Sequence, residues 1–239
     1  MRRSWSISKG VKTMKNLFYK ELKLAIHPVV WVMVLFFPLM ILIPSYPAYI
    51  SFIYVCSSYP IIFLGANKGQ TSNDIYFTSL LPIKKSDVIK ARMLTVIFLQ
   101  FVSIALLLIL NPLGSYLLEV ARANATPEEL GDLIDVGFSH KAASGTISFS
   151  IISFAVYDFI YFTTFYKNGR SIVLPTLLGI FTFTIVESAL CLVLPLSFPS
   201  FNTLFENNLL VSILSPVLAI ILSALIHFLA FQISKKRFE

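Results

Sequence analysis

The sequence predicts an all-α polytopic membrane protein with six transmembrane helices and both termini in the cytosol. Three observations predict it. Of 239 residues, 56% are hydrophobic and only 13% are charged, where a soluble domain carries about 25% charged residues. Six apolar stretches of spanning length follow one another along the chain. The basic residues collect in alternate connections between those stretches. The formal charge of +7 therefore reads as the cytosolic side of a membrane protein, and nucleic acid is not an expected partner.

The elements follow in order. Residues 1–13, "MRRSWSISKGVKT", begin basic but lack the apolar core of a cleavable signal peptide, and read as a flexible leader. Over residues 14–25, "MKNLFYKELKLA" puts Leu17, Phe18, Leu22 and Ala25 at helical spacing. Lys15, Lys20 and Lys23 can reach the other side, so this segment reads as an amphipathic helix lying in the inner leaflet. The apolar stretches run from Ile26 to Ile43, Pro47 to Leu64, Met93 to Leu113, Ala143 to Phe165, Ile172 to Leu194 and Leu209 to Phe231. At about 1.5 Å per residue each reaches roughly 27–35 Å, enough for a hydrocarbon core of about 30 Å. Pro38 and Pro60 interrupt the first two, which a spanning helix tolerates when neighbours satisfy the freed carbonyls. Residues 26–231 thus form one transmembrane domain, and 232–239 a cytosolic tail. Cys56 and Cys191 sit in apolar runs and give neither a disulfide framework nor metal-ligand spacing.

Orientation follows from the connections. Apart from Arg122 and Lys141, all 19 Lys and Arg lie before the first span, between the second and third, between the fourth and fifth, or after the sixth. The positive-inside rule puts those segments in the cytosol, and an even number of spans agrees. Outside, the connection from Glu119 to Lys141 contains "TPEE". Thr126 as N-cap, Pro127 at the first position and Glu129 closing a capping box predict a short surface helix. "PLSFPSFNTLFENN" reads as a cap or a segment dipping into the membrane edge.

Between the second and third spans lies a charged elbow. In "TSNDIYFTSLLP", Ser72 is a candidate N-cap and Asp74 sits in the first turn, where a carboxylate favours the helix dipole. Ile75, Tyr76, Ser79 and Leu80 then share one side, with Phe77 between them, and Pro82 ends the helix. Ser86 is expected to cap a second helix that carries Asp87, Lys90 and Arg92 into the third span. Lys84, Lys85, Lys90 and Arg92 form a basic elbow at the inner leaflet, worth about 1 kcal/mol per charge against anionic lipid. A two-turn helix is marginal in water on its own, so something must pack on it.

These same residues carry a resemblance. "NDIYFTSLLPIKKSDVIKARML" resembles the first cytosolic loop of type-two ABC-exporter permeases. More narrowly, it resembles the small six-span subfamily that includes the permeases of phenol-soluble modulin exporters. The shared pattern is an acid, a Ser-Leu-Pro turn, basic residues, a hydroxyl, a Val and a Lys. Here it falls on Asp74, Ser79, Leu81, Pro82, Lys84, Lys85, Ser86, Val88 and Lys90, with Leu80 as an extra residue. The resemblance implies that Asp74, Ile75, Tyr76, Phe77, Ser79, Leu80 and Pro82 belong to a coupling helix seated in a separate ATPase subunit. It implies a second permease chain, identical or different, and ATP and Mg bound by the partner, with no cofactor on this chain. The implied cargo is an amphipathic peptide, toxin or lipid-like molecule, exported across a bacterial cytoplasmic membrane.

Enzymatic chemistry is not expected of the chain itself. "GANKGQTS" from Gly65 lacks the Gly-Lys-Ser/Thr end of a phosphate-cradling loop. His27, His140 and His227 read as standing at three different span ends or loops, without a metal site. Two acids do fall within spans, Asp158 and Glu187. Each costs about 2.5–3.5 kcal/mol at mid-membrane, so each should face protein or water. Their depths differ by roughly 12 Å, so separate interhelical contacts, or positions along a pathway, are expected rather than a direct pair. Two alternatives stay open at the level of sequence. An ion-coupled carrier would be marked by inverted repeats and broken helices. A non-transporting anchor or immunity protein would purify without an ATPase.

Overall fold

The computed structural model describes residues 15–26, 28–43, 52–58, 84–126, 139–168 and 172–238, and every regular element among them is helical. The first helix, α1, covers residues 15–20 and widens into a π turn over Glu21–Ala25. α2, Pro28–Phe36, tightens into a 3₁₀ turn over Phe37–Leu42, with Pro38 near the start of that turn. The two arms meet at 87°. Leu17 is buried and Leu22 packs on the core, while Tyr19 and Lys23 are exposed, so α1 is two-sided, as its spacing predicts. α3 is the short piece Phe52–Ser57.

α4 runs unbroken from Lys85 to Asn124, 40 residues. At about 1.5 Å per residue it is roughly 60 Å long, twice a bilayer core. Its N-cap is Lys84, whose carbonyl accepts from the Asp87 N–H at 2.9 Å. Ser86 therefore lies inside the first turn and is not the cap the sequence suggested, although Asp87 does occupy the first turn. The helix also passes Pro112, where the third span was expected to end, and carries on through Arg122.

α5, Ala143–Asn168, follows a 3₁₀ turn at His140–Ala142. α6 covers Val173–Ser188, then a π turn at Ala189–Val193 and a last turn at Leu194–Ser197. Pro195 has no N–H to give the Cys191 carbonyl, and the backbone reaches this proline through the wider turn. α7, Ser200–Asn207, forms from the segment expected to cap or dip, and packs its Phe205 edge-on against Phe149 of α5 at 6.2 Å. α8, Leu209–Phe238, continues helically through residues assigned from sequence to a tail.

α4, α5, α6 and α8 are each long and apolar enough to cross a membrane, and the bent α1–α2 pair would make a fifth span. This is a multi-pass helical membrane protein. Of the second apolar stretch, only α3 and Ser58 lie within the described residues. The coupling-helix residues Asp74, Ile75, Tyr76, Phe77, Ser79, Leu80 and Pro82 lie outside them, as do Pro127 to Phe138.

α5 is the central helix. Phe154, Ala155, Tyr157, Asp158, Tyr161 and Phe162 are all nearly or fully buried. α8 lies along it through a stripe of small residues, Ser215, Ala219, Ser223, Ala230 and Ser234, with His227 in the same row. The spacing of three and four keeps them on one face, and small side chains let two backbones approach within a membrane. The opposite side of α8 presents Leu210, Ile213, Leu214, Val217, Leu218, Ile221, Leu225 and Phe228 outward. In water this would be an aggregation surface, and in a bilayer it meets acyl chains.

One close approach fixes α4 against the 3₁₀ turn. A Cβ on Gly114 would stand 2.6 Å from the Ile41 carbonyl oxygen and 3.3 Å from its Cγ1. Gly-to-Ala normally favours a helix by about 1 kcal/mol. Here the obstacle is backbone, so the contact must open. Gly114→Ala is expected to destabilise by about 1–3 kcal/mol, measured by denaturant-titrated unfolding in micelles. A gain in stability would mean that the contact is slack.

Candidate intramembrane polar layer

α5 takes part in two separate buried contacts of an acid, one at Asp158 and one between Ser150 and Glu187 of α6, and the two acids do not pair. Successive aromatic rings line α5 at a spacing of four. Tyr157 stacks on Tyr161 at 5.8 Å, Tyr161 on Phe165 at 6.1 Å, and Phe162 on Tyr166 at 6.4 Å. Asp158 occupies the row of Phe154 and Phe162, so aromatic side chains lie one turn above and below it. An acid in such apolar surroundings needs hydrogen-bond partners. It finds them on two other helices. Gln100 Nε2 of α4 donates to Asp158 Oδ2 at 3.0 Å, and His227 Nε2 of α8 lies 2.8 Å from the same oxygen. His227 Nδ1 in turn lies 2.7 Å from the Ser223 carbonyl and 3.2 Å from its hydroxyl.

His227 is thus not at the end of its span. It sits 11 residues before the last residue of α8, within the bundle. The continued helix places it there, and this corrects the reading of His227 as a residue of a span end or loop; His140 does stand in the turn before α5, and His27 lies outside the described residues. Gln100 and His227 were not singled out as site residues by sequence reasoning. The signal for Gln100 was available, since it is the one amide in the run from Leu94 to Leu110.

Glu187 of α6 is buried and accepts from Ser150 Oγ of α5 at 2.6 Å through Oε1. Its Oε2 has no hydrogen-bond partner among the described residues. Ser150 and Asp158 are eight residues apart on α5, which separates the two acids by about 12 Å in height. That is the separation the sequence predicts. Each acid makes its own interhelical contact.

A third tie serves a carbonyl in the last turn of α3. Tyr157 Oη donates to the Cys56 carbonyl at 2.9 Å. The last carbonyls of a helix need partners from outside it, and this one meets a phenol from the neighbouring helix. Gly179 of α6 makes room for that ring, since a Cβ there would lie 2.8 Å from Tyr157 Cε2. Tyr157→Phe keeps the ring and removes the donor. It is expected to cost about 1–3 kcal/mol, and proteolysis of the α3 region is the sensitive readout. Unchanged cleavage would show that another group serves the carbonyl.

The basic elbow divides. Lys84, Lys85 and Lys90 are exposed, and Lys90 Nζ sits 5.2 Å above the Phe231 ring of α8. Arg92 is buried instead, with Nε 3.7 Å from Glu21 Oε2. The pair ties α1 to α4, so Arg92 belongs to the bundle rather than to the leaflet surface. At the same end, Arg237 of α8 donates to the Thr163 carbonyl of α5. Among the described residues no group of three His, Cys, Asp or Glu is arranged to hold a metal ion. In comparisons with protein-family models, curated proteins and solved structures, this chain matches none.

Proposed function

We propose that the chain is the membrane-spanning permease subunit of an ATP-driven exporter, worked by a separate ATPase and paired with a second permease chain. Its elbow between the second and third apolar stretches is the handle for the ATPase, which carries ATP and Mg. The cargo class is an amphipathic peptide, toxin or lipid-like molecule leaving the cell.

One observation carries this reading beyond the resemblance in the elbow. α4 is a single rod from the basic turn at Lys85 to Asn124. Coupling needs a stiff element, and the part of α4 from Lys85 to Asn111, ahead of Pro112, is a helix of about 40 Å that can transmit a tilt. The rod is clamped near its start by Glu21 on Arg92 and by Lys90 over Phe231. A push on the segment just ahead of Lys84 would therefore move α1, α4 and α8 together. In this orientation the end bearing Lys85, Lys167 and Arg237 faces the cytosol.

Co-expression with a candidate ATPase from a neighbouring reading frame tests the proposal. The two should purify together in mild detergent, the permease should change ATP turnover, and export should stop when the ATPase is inactivated. A chain that purifies alone, with export that persists and follows a proton gradient, would select the ion-coupled carrier.

A further inference from the structure

Three helices converge on one carboxylate oxygen, and the contacts around it determine how many protons they hold. His227 Nδ1 lies 2.7 Å from the Ser223 carbonyl oxygen. A carbonyl only accepts, so the hydrogen is assigned to Nδ1; the other tautomer, with Nδ1 accepting from the Ser223 hydroxyl at 3.2 Å, would set two lone pairs facing each other at 2.7 Å. If the ring is neutral, Nε2 is then a bare lone pair. Yet Nε2 faces Asp158 Oδ2 at 2.8 Å, and an ionised carboxylate is also acceptor-only. Two lone pairs at that distance repel. A second proton must lie in the gap, making either an imidazolium beside a carboxylate or a neutral imidazole beside a carboxylic acid. Both forms carry no net charge, which is the condition for keeping an acid inside a membrane. The Gln100 amide, donating to the same Oδ2 at 3.0 Å, fits both.

We propose that Asp158, His227 and Gln100 form an intramembrane proton-binding site, which holds one exchangeable proton between Asp158 Oδ2 and His227 Nε2 and thereby ties α8 to α5 and α4. The site stands whether or not an ATPase works the chain. The proton comes from water and returns to it, with no other bond made or broken. Of the two partners His227 is the more exposed, its side chain keeping 12% of its surface while that of Asp158 keeps none.

Other ionisable groups lie near the site among the described residues. Tyr157 on α5 and Cys56 on α3 are close to Asp158. Thiols and phenols ordinarily keep their protons below about pH 8. Glu187 on α6 is held by Ser150 about 12 Å away in height. Arg92 on α4 and Arg237 on α8 lie eight and ten residues toward the basic end from Gln100 and His227. When the proton leaves, a buried negative charge remains between α5 and α8, and the contact across the small-residue stripe weakens.

The test uses the full chain with ¹⁵N-labelled histidine rings in phosphatidylcholine vesicles. The His227 signals are assigned by elimination with His27→Gln and His140→Gln, which spare the site. Near neutral pH the account expects one of two signatures: both ring nitrogens of His227 protonated beside an ionised Asp158, or Nδ1–H alone with a protonated carboxyl band in the infrared that is absent from Asp158→Asn. Raising the pH should remove one proton per chain from this signal and increase protease cleavage of α8. A neutral ring protonated only at Nε2 beside an ionised Asp158 would overturn the proposal. So would a ring whose state does not change across the range in which the chain stays folded. Both outcomes are read on the native site, so the decision does not require Asp158→Asn to fold.

Discussion

Asp158→Ala is expected to lower the stability of the bundle by about 3–5 kcal/mol, the usual cost of removing one partner of a buried charged pair. The reason lies in what remains. His227 and Gln100 keep their places on α8 and α4, each with a polar nitrogen aimed at an empty position. The aromatic rings at Phe154 and Phe162 offer no acceptor in exchange. α8 should be affected most, because it meets α5 across small side chains with little apolar area to compensate. The double change Asp158→Leu with His227→Leu separates charge from packing. Replacing a buried pair by apolar residues of similar volume is often neutral or stabilising, so the double variant should recover much of the loss. Unfolding in mixed micelles measures both. If the double variant is as weak as the single one, shape rather than charge holds the site. Lost export with normal assembly in the double variant would place the acid on the transport pathway.

Glu21→Ala is expected to cost a similar amount, about 3–5 kcal/mol, through the other end of α4. Glu21 and Arg92 are both buried, with their charged atoms 3.7 Å apart. A guanidinium cannot shed its charge, so removing the carboxylate leaves a buried cation without this counter-charge. Glu21→Gln keeps an acceptor and should cost distinctly less. Because the pair joins α1 to α4, the variant should also release α1. Proteolysis at Lys15, Lys20 and Lys23 is the expected readout. Global weakening with α1 still protected would show that apolar contacts, such as Phe18 against Phe98 at 6.1 Å, suffice to hold it.

Much of the helical layout was legible because a spanning helix is a local pattern. The fourth and sixth apolar stretches begin at the residues that start α5 and α8, and the fifth begins one residue before α6. Their ends were less legible. The Asn111-Pro112-Leu113-Gly114 run reads as a stop, yet Gly114 packs on Ile41 and α4 continues. Nothing local announces that contact, which joins residues 73 positions apart. The polar layer was half legible. Two acids within apolar runs signal interhelical contacts, and their difference in depth follows from rise per residue. Their partners do not, since Gln100 and His227 lie 58 and 69 residues from Asp158. The stripe of small residues on α8 was not singled out from the sequence, and which helix it meets depends on tertiary packing. Arg92 shows the same limit. Its charge reads as surface, and its burial beside Glu21 depends on a separate helix.

The central claim is that the segment leading into α4 is gripped from the basic side by a nucleotide-driven subunit. A photoreactive amino acid at Tyr76 tests it most directly, in cells that also make the candidate ATPase. The account predicts a crosslink to that soluble subunit, strengthened when ATP hydrolysis is blocked. Labelling of the same position by an impermeant reagent from outside the cell, or full export with no crosslink, would contradict it.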